Sequence, residues 1–134
     1  MRPETQAYLA KARQSLAHAR AILAIDLGED SARAAYLAAL HTAQAMIFER
    51  TGRVAKTHRR GVHGQFLKLV ADDSRVDARL RRFLSEGYRL KSTADYEIGP
   101  DAIVPIDEAA AAIETAARFV DTVSELLDDP RSTK

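Results

Sequence analysis

The sequence contains no cysteine and no tryptophan, and glycine and proline are scarce. Without cysteine, disulfides, thiolate zinc sites, iron–sulfur clusters and thiol nucleophiles are excluded. No apolar run approaches the roughly 18 residues of a membrane span, and the N-terminus lacks the apolar stretch of a secretory signal. We therefore expect a cytoplasmic protein that does not enter a membrane.

Alanine is abundant and the apolar residues recur with helical spacing, so the sequence predicts an all-α fold. Alanine supplies 25 of the 134 residues, against 6 glycines and 4 prolines, a composition that favours helices. No alternating pattern indicates a strand. The predicted architecture is a five-helix up-down antiparallel bundle. Its helices are expected at about 3–26, 31–50, 61–71, 75–96 and 107–127.

The chain length suits a single domain over 1–134, with a frayed tail at about 128–134. Local signals set the predicted helix ends. Gly28 is expected to end the first helix, Ser31 to cap the second and Gly52 to end it. The segment 72–74 is read as a turn and cap before the long fourth helix.

Charge is distributed unevenly along the chain. Residues 1–49 are balanced, 50–91 carry twelve basic and four acidic side chains, and 92–134 carry three basic and ten acidic ones. The formal net charge of +1 therefore hides a middle of net +8 and an end of net −7. Such a middle favours an anionic partner. The alternative is internal neutralisation, with the acidic last helix lying along the basic one.

The predicted fourth helix carries the most distinctive polar pattern. Arg82, Arg89 and Tyr96 are seven residues apart and so align on one helical face. Two guanidiniums followed by a phenol suit phosphate contact and base stacking. The alternative is a solvated basic face whose arginine stems cover apolar neighbours. Further predicted RNA or nucleotide contacts are Lys91, Arg59 and Arg60.

The four histidines do not form a metal motif. His58 and His63 are five residues apart across Gly61, and no H-E-x-x-H pattern occurs. No metal and no cofactor are therefore expected. His41, beside an apolar stripe, is most simply a packed, hydrogen-bonded core histidine.

Three segments together resemble the HEPN superfamily, and most of all its small stand-alone branch that accompanies minimal nucleotidyltransferases. The segments are AYLAALHTAQAM at 35–46, KTHRRGV at 56–62 and YRLKSTADY at 88–96. The resemblance covers nearly the whole chain. It implies a helical bundle that forms a homodimer, with a cleft lined by the fourth helix of both protomers. On that helix Phe83, Leu84, Tyr88 and Leu90 spread over more than one side, which also favours a dimer.

Many members of the superfamily are metal-independent ribonucleases and toxins, with an arginine followed after four to six residues by a histidine. The resemblance aligns Arg89 with that arginine but places Ala94 at the histidine position. Alanine cannot transfer a proton, so any endoribonuclease activity is expected to be weak. His41 or His58 would replace the base only if the fold brings one of them to Arg89. Tyr96 matches a tyrosine that receives a nucleotidyl group from the partner enzyme in some members.

Three functions remain open. The first is a HEPN component of a two-component module with a nucleotidyltransferase partner, plausible as a toxin–antitoxin pair, whose basic dimer cleft binds RNA or nucleotide. The second is a metal-independent ribonuclease that uses Arg89 with a relocated histidine. The third is a non-catalytic helical dimer that docks a partner protein.

Overall fold

Five α-helices account for most of the described chain and confirm the all-α prediction. The computed structural model describes residues 1–55, 58–99 and 103–129, with the side chains of 58–60 left out of the description. A π-helix, His58–His63, directly precedes the third α-helix. The α-helices are α1 (Pro3–Leu23), α2 (Gly28–Thr51), α3 (Gly64–Leu69), α4 (Ala78–Tyr96) and α5 (Ile106–Asp128).

The four long helices alternate in direction, as expected for an up-down bundle. α1 and α4 run one way, and α2 and α5 run the other. The contacts that fix these directions are Thr5–Glu49, Ser31–Ala19, Arg33–Asp95, Tyr36–Tyr88, Arg89–Glu108 and Asp77–Arg118. Among the described residues, no helix combines the length and apolar character that crossing a bilayer requires.

Helix α2 is the central element, because it packs against α1, α3, α4 and α5. Its many buried alanines leave room for neighbouring helices to approach closely, and Tyr36, Met46 and Ile47 fill the core between them. Phe66 of α3 and Phe119 of α5 are fully buried with ring centroids 5.0 Å apart. Burying one such ring contributes roughly 1.5–3 kcal/mol, so this pair anchors the short α3.

The start of α2 differs from the prediction. Gly28 does not end α1 but is the first residue of α2, and α1 ends at Leu23. A Cβ at position 28 would lie 2.4 Å from the carbonyl oxygen of Val104, so only glycine fits there. Ser31 is not the cap: it is buried and its hydroxyl donates to the carbonyl of Ala19 at 3.1 Å. Both residues serve contacts between distant segments, which a local cap pattern does not reveal.

The other helix ends lie within a few residues of their predicted positions. Gly52 is left-handed (φ 71°) and its N–H donates to the carbonyl of Phe48, which confirms the predicted cap. α4 begins three residues late, because Asp77 caps it by accepting the N–H of Leu80 at 2.9 Å. α3 is shorter than predicted because the π-helix takes its first turn. Of the predicted frayed tail, residues 130–134 lie outside the described part.

The four apolar residues of α4 that favoured a dimer pack within the chain. Phe83, Leu84 and Leu90 are buried, and Tyr88 is half-buried against the same core. The spread of these residues over the helix is therefore explained by contacts with α2, α5 and the π-helix. The homodimer remains a prediction, without support from this pattern.

Candidate nucleic-acid interface on the fourth helix

Three arginines form a row on the solvent side of α4: Arg79, Arg82 and Arg89, called here the arginine row. The side chains of Arg82 and Arg89 are each 65% exposed. Arg79, one turn before Arg82, is also exposed and has no ion-pair partner among the described residues. Sequence reasoning passed over Arg79, although its spacing of three from Arg82 places it on the same side of the helix.

The ion pairs of the arginine row are weak and open to solvent. Arg82 Nε lies 3.7 Å from Glu86 Oε1, beyond hydrogen-bond distance. Arg89 Nη2 donates to Glu108 Oε1 of α5 at 3.1 Å, and the Glu108 side chain is 43% exposed. Exposed pairs of this kind contribute only about 0–1 kcal/mol. A phosphate group can therefore take the place of either carboxylate at little cost.

A shallow groove runs beside the row, between α4 and α5. Its volume is about 130 Å³, and Arg79 and Arg89 both line it together with Glu108 and Thr115. Glu86 lines it as well. The guanidinium fork matches two oxygens of a phosphate, so each of the two arginines can hold one phosphate of a strand that lies along the groove.

Lys91, predicted to join Arg82 and Arg89, belongs to a different cluster at the C-terminal end of α4. Its ammonium donates to Asp95, which also accepts from Arg33 Nε of α2 at 2.6 Å. The hydrogen bond from Lys91, followed by the one from Arg33, lowers the pKa of Asp95. Only 19% of the Lys91 side chain is exposed. Lys91 thus ties α4 to α2 and stands apart from the arginine row.

The last turn of α4 holds the two positions matched to the histidine and tyrosine of the motif. Ala94 is half-buried and offers no proton-transfer group. The Tyr96 side chain points into solvent, with the residue 75% exposed, and the Lys91 ammonium lies 5.8 Å from its ring centroid. A phenol so exposed is accessible to a modifying enzyme.

His41 and His58, predicted as replacement bases, are not brought to Arg89 by any described contact. His41 is half-buried on α2, and its Nδ1 lies 2.9 Å from Gln44 Oε1. It follows Tyr36 by five residues, about 7.5 Å along the helix axis, in the direction away from the C-terminal end of α4. The side chains of His58, Arg59 and Arg60 lie outside the described residues.

Sequence reasoning missed a buried aromatic cluster around His63. His63 Nε2 lies 2.9 Å from the Tyr36 hydroxyl, and the rings of His63, Tyr36 and Tyr88 meet edge to face with centroids 5.8–6.0 Å apart. Burial, together with the neighbouring Tyr88, raises the pKa of the Tyr36 phenol, so it stays a neutral hydrogen-bonding group. A glycine inside α4 was the available signal: a Cβ at Gly87 would lie 3.1 Å from Tyr36 Cδ1.

This cluster and the arginine row lie on different sides of α4. Tyr88 contacts Tyr36 of α2 and His63, whereas the next residue, Arg89, contacts Glu108 of α5. Consecutive helical residues point about 100° apart. The row therefore combines exposed cations with no described histidine, and the carboxylates beside it, Glu86 and Glu108, pair with its arginines, an arrangement suited to binding an anion. In the described part of the chain, no three His, Asp or Glu side chains gather as metal ligands.

A larger groove, of about 640 Å³, lies elsewhere, between the end of α2 and the α3–α4 connection. Arg50, Lys68 and Arg75 line it, but so do Asp72 and Asp73. Arg75 donates to Asp73 at 2.9 Å and to Asp129 at 2.9 Å. Arg75 is thus held by two carboxylates, and Asp72 and Asp73 oppose an anion in this groove, so we rank it below the arginine row as an anion site.

Comparison with known proteins agrees with the resemblance to the HEPN superfamily. A search of curated proteins finds no match. The family model for the HEPN domain matches residues 5–126, which include all of α2, α3 and α4 and most of α1 and α5. The chain belongs to the HEPN domain family.

Proposed function

We propose that this protein is the HEPN component of a two-component module with a nucleotidyltransferase, of the toxin–antitoxin type, and that it binds RNA through the arginine row. The observation that carries the RNA part is the exposure of Arg82 and Arg89, seven residues apart, with only weak carboxylate partners. Lys91 contributes less in this proposal because Asp95 holds its ammonium.

A flexible single strand fits the row better than a rigid duplex does. Arg82 and Arg89 are about 10 Å apart along the helix axis, and Arg79 is one turn further. A single strand adjusts its backbone to such a spacing, and its bases stay free to stack on side chains. HEPN domains commonly form dimers, and a homodimer that paired two α4 helices would double the number of phosphates that the protein binds.

In this proposal the isolated protein binds RNA without efficient cleavage. Attack of a ribose 2′-hydroxyl on the adjacent phosphodiester needs a group that accepts its proton. Ala94 supplies none, and an arginine remains protonated near neutral pH. Arg89 retains the capacity to hold a phosphate. The ribonuclease alternative therefore requires another base: a carboxylate beside the row, Glu86 or Glu108, His58, whose side chain is not described, or a group from a partner.

The test of RNA binding is a titration of fluorescent single-stranded RNA at several salt concentrations. Replacing Arg82 and Arg89 together by alanine should weaken binding. It should also reduce the salt slope, the slope of log affinity against log salt concentration, by about 0.7 for each phosphate that the variant no longer binds. Arg20→Ala is the matched control, since Arg20 is an exposed arginine in a loose pair with Glu114 on another face. An unchanged slope in the double variant would place the RNA site elsewhere.

The nucleotidyltransferase part of the proposal is tested at Tyr96. Its exposed phenol oxygen would attack the α-phosphate of ATP, with release of pyrophosphate and of the phenolic proton to the enzyme. Mass spectrometry after incubation with the partner nucleotidyltransferase should locate the added nucleotidyl group on Tyr96, and Tyr96→Phe should abolish it. Modification of Tyr8, a half-buried tyrosine on α1, or of no tyrosine at all would remove this step.

A further inference from the structure

Exposed apolar side chains concentrate at one end of the bundle. The α1–α2 turn, the end of α4 and the segment that leads into α5 meet there. Tyr96 and Ile98 are 75% and 88% exposed, and the other members are also open to solvent. This apolar end surface consists of Ile25, Leu27, Tyr96, Ile98, Ile103 and Ile106.

Close contacts hold these segments in place. A Cβ at Gly28 would lie 2.4 Å from the Val104 carbonyl oxygen and 3.4 Å from Ile106 Cδ1, so the start of α2 touches the start of α5. The end of α4 is tied to α2 through Asp95 and Arg33. The α1–α2 turn, the end of α4 and the start of α5 are therefore each tied to a neighbouring segment.

Unpaired carboxylates accompany the apolar end surface. Asp26 and Glu29 lie in or next to the α1–α2 turn, Glu97 follows α4, and Asp107 lies in the first turn of α5. Glu29 is half-buried and the other three are exposed, and none of the four has a basic partner among the described residues. Some carboxylates elsewhere on the bundle are paired, as in the bridges Asp77–Arg118 and Asp129–Arg75, while others, such as Asp121 and Glu125 of α5, are exposed with no ion-pair partner among the described residues. The excess negative charge at this end is thus available to a partner.

We propose that the apolar end surface docks a partner-protein segment that presents apolar side chains flanked by lysine or arginine. Contiguous exposed apolar residues with a polar rim mark interaction surfaces. The acidic rim selects against RNA and against a second copy of the same surface, because both would bring negative charge to negative charge. This inference goes beyond RNA binding and does not depend on it, since the arginine row points elsewhere on α4.

The experiment uses two short synthetic amphipathic helical peptides with the same leucine face, one flanked by lysines and the other by glutamates. Fluorescence anisotropy of the labelled peptides is measured against the full chain. The lysine peptide should bind at least about tenfold more tightly than the glutamate peptide. The difference should shrink as salt rises, because exposed charges are screened.

Two variants locate the binding. Replacing Ile98 and Ile103 together by serine should lower the affinity for the lysine peptide by about tenfold or more. Val54→Ser is the matched control, because Val54 is an exposed aliphatic residue beyond the other end of α2. Replacing Glu29 and Asp107 by lysine should remove the preference for the lysine peptide. The same change at Asp121 and Glu125, exposed acids further along α5, should retain it.

Three results would overturn the proposal: equal binding of both peptides, no binding of either, or an unchanged affinity in the Ile98 and Ile103 variant. Sedimentation is measured on the same proteins. A dimer of the wild type that dissociates in that variant would identify a second copy as the occupant and would also overturn the proposal.

Discussion

The two ends of α4 present opposite chemistry to solvent. The first half displays Arg79 and Arg82, exposed cations with at most a loose partner. At the C-terminal end, Tyr96 and Ile98 are exposed beside carboxylates without a described basic partner, and Lys91 is held by Asp95. One helix thus carries an anion-binding row and an apolar, acidic end. The net charge of +1 conceals both.

Ion pairs with α5 neutralise only part of the positive charge of α4. The acidic α5 does lie along the basic α4, and Arg89 pairs with Glu108. A second bridge has the opposite polarity, with Asp77 at the start of α4 and Arg118 on α5. These contacts leave Arg79 and Arg82 outside, so the packing of α5 uses only part of the positive charge of α4.

The largest expected effect is a gain of ribonuclease activity from a substitution in the last turn of α4. Ala94→His places a proton-transfer group in the last turn, at the motif spacing from Arg89. Positioned proton transfer contributes about 10²–10⁴-fold, whereas the helix propensity cost is at most about 0.7 kcal/mol. We expect ribonuclease activity at least about a hundredfold above wild type in the presence of a chelator.

Arg89→Ala in the Ala94→His background is the control and should abolish that activity. An inactive Ala94→His protein that still binds RNA would show that the surface serves docking and not cleavage. Strong cleavage by wild type that disappears in His41→Ala or His58→Ala would identify a different base.

A smaller effect is expected on the free energy of unfolding when the apolar end of the bundle is altered at Gly28. Gly28→Ala forces a methyl group against the Val104 carbonyl oxygen, a backbone atom that cannot rotate away. Such overpacking costs about 1–3 kcal/mol, which urea unfolding should show as a lower free energy of unfolding. RNA affinity of the folded variant should stay unchanged, since the arginine row is remote from Gly28. Unchanged stability would mean that the start of α5 is not held at this point.

The smallest effect depends on pH. The pKa of Asp95 is lowered by Lys91 and Arg33, so the ionised form favours the folded state. Its contribution is complete above the unfolded pKa of about 3.9 and is lost as the pH falls through the lower folded pKa. In urea unfolding at decreasing pH, Asp95→Asn should remove up to about 1 kcal/mol of acid-sensitive stability. Asp121→Asn, on an exposed part of α5, should leave the profile unchanged.

Periodicity and composition predict the helices well, because amphipathic spacing reflects which face must be buried. They predict Gly52 as a cap but misassign Gly28 and Ser31, whose roles arise from contacts with Val104 and Ala19. The heptad spacing of Arg82 and Arg89 correctly places them on one face of α4, and the structure leaves that face exposed. The attachment of Lys91 to Asp95 and Arg33 does not, since it depends on how α2 lies beside α4.

The burial of His63 could not be predicted from the sequence either. Its environment is formed by Tyr36, Tyr88 and a π-helical turn, and the π-helix has no distinctive residue pattern. In the sequence, only Gly87, a glycine in the middle of a predicted helix, indicates that a bulky ring packs against α4. Metal and catalytic motifs do not describe such a cluster, because its members serve packing and hydrogen bonding.

The most direct measurement is the salt dependence of single-stranded RNA binding in three proteins: wild type, the Arg82 and Arg89 double alanine variant, and the Ile98 and Ile103 double serine variant. If RNA binds the arginine row, the slope of log affinity against log salt concentration should fall by about 1.4 in the arginine variant, because two phosphates are no longer bound. The isoleucine variant should keep the wild-type slope. A slope reduced equally in both variants, or in neither, would contradict the assignment of RNA to the arginine row.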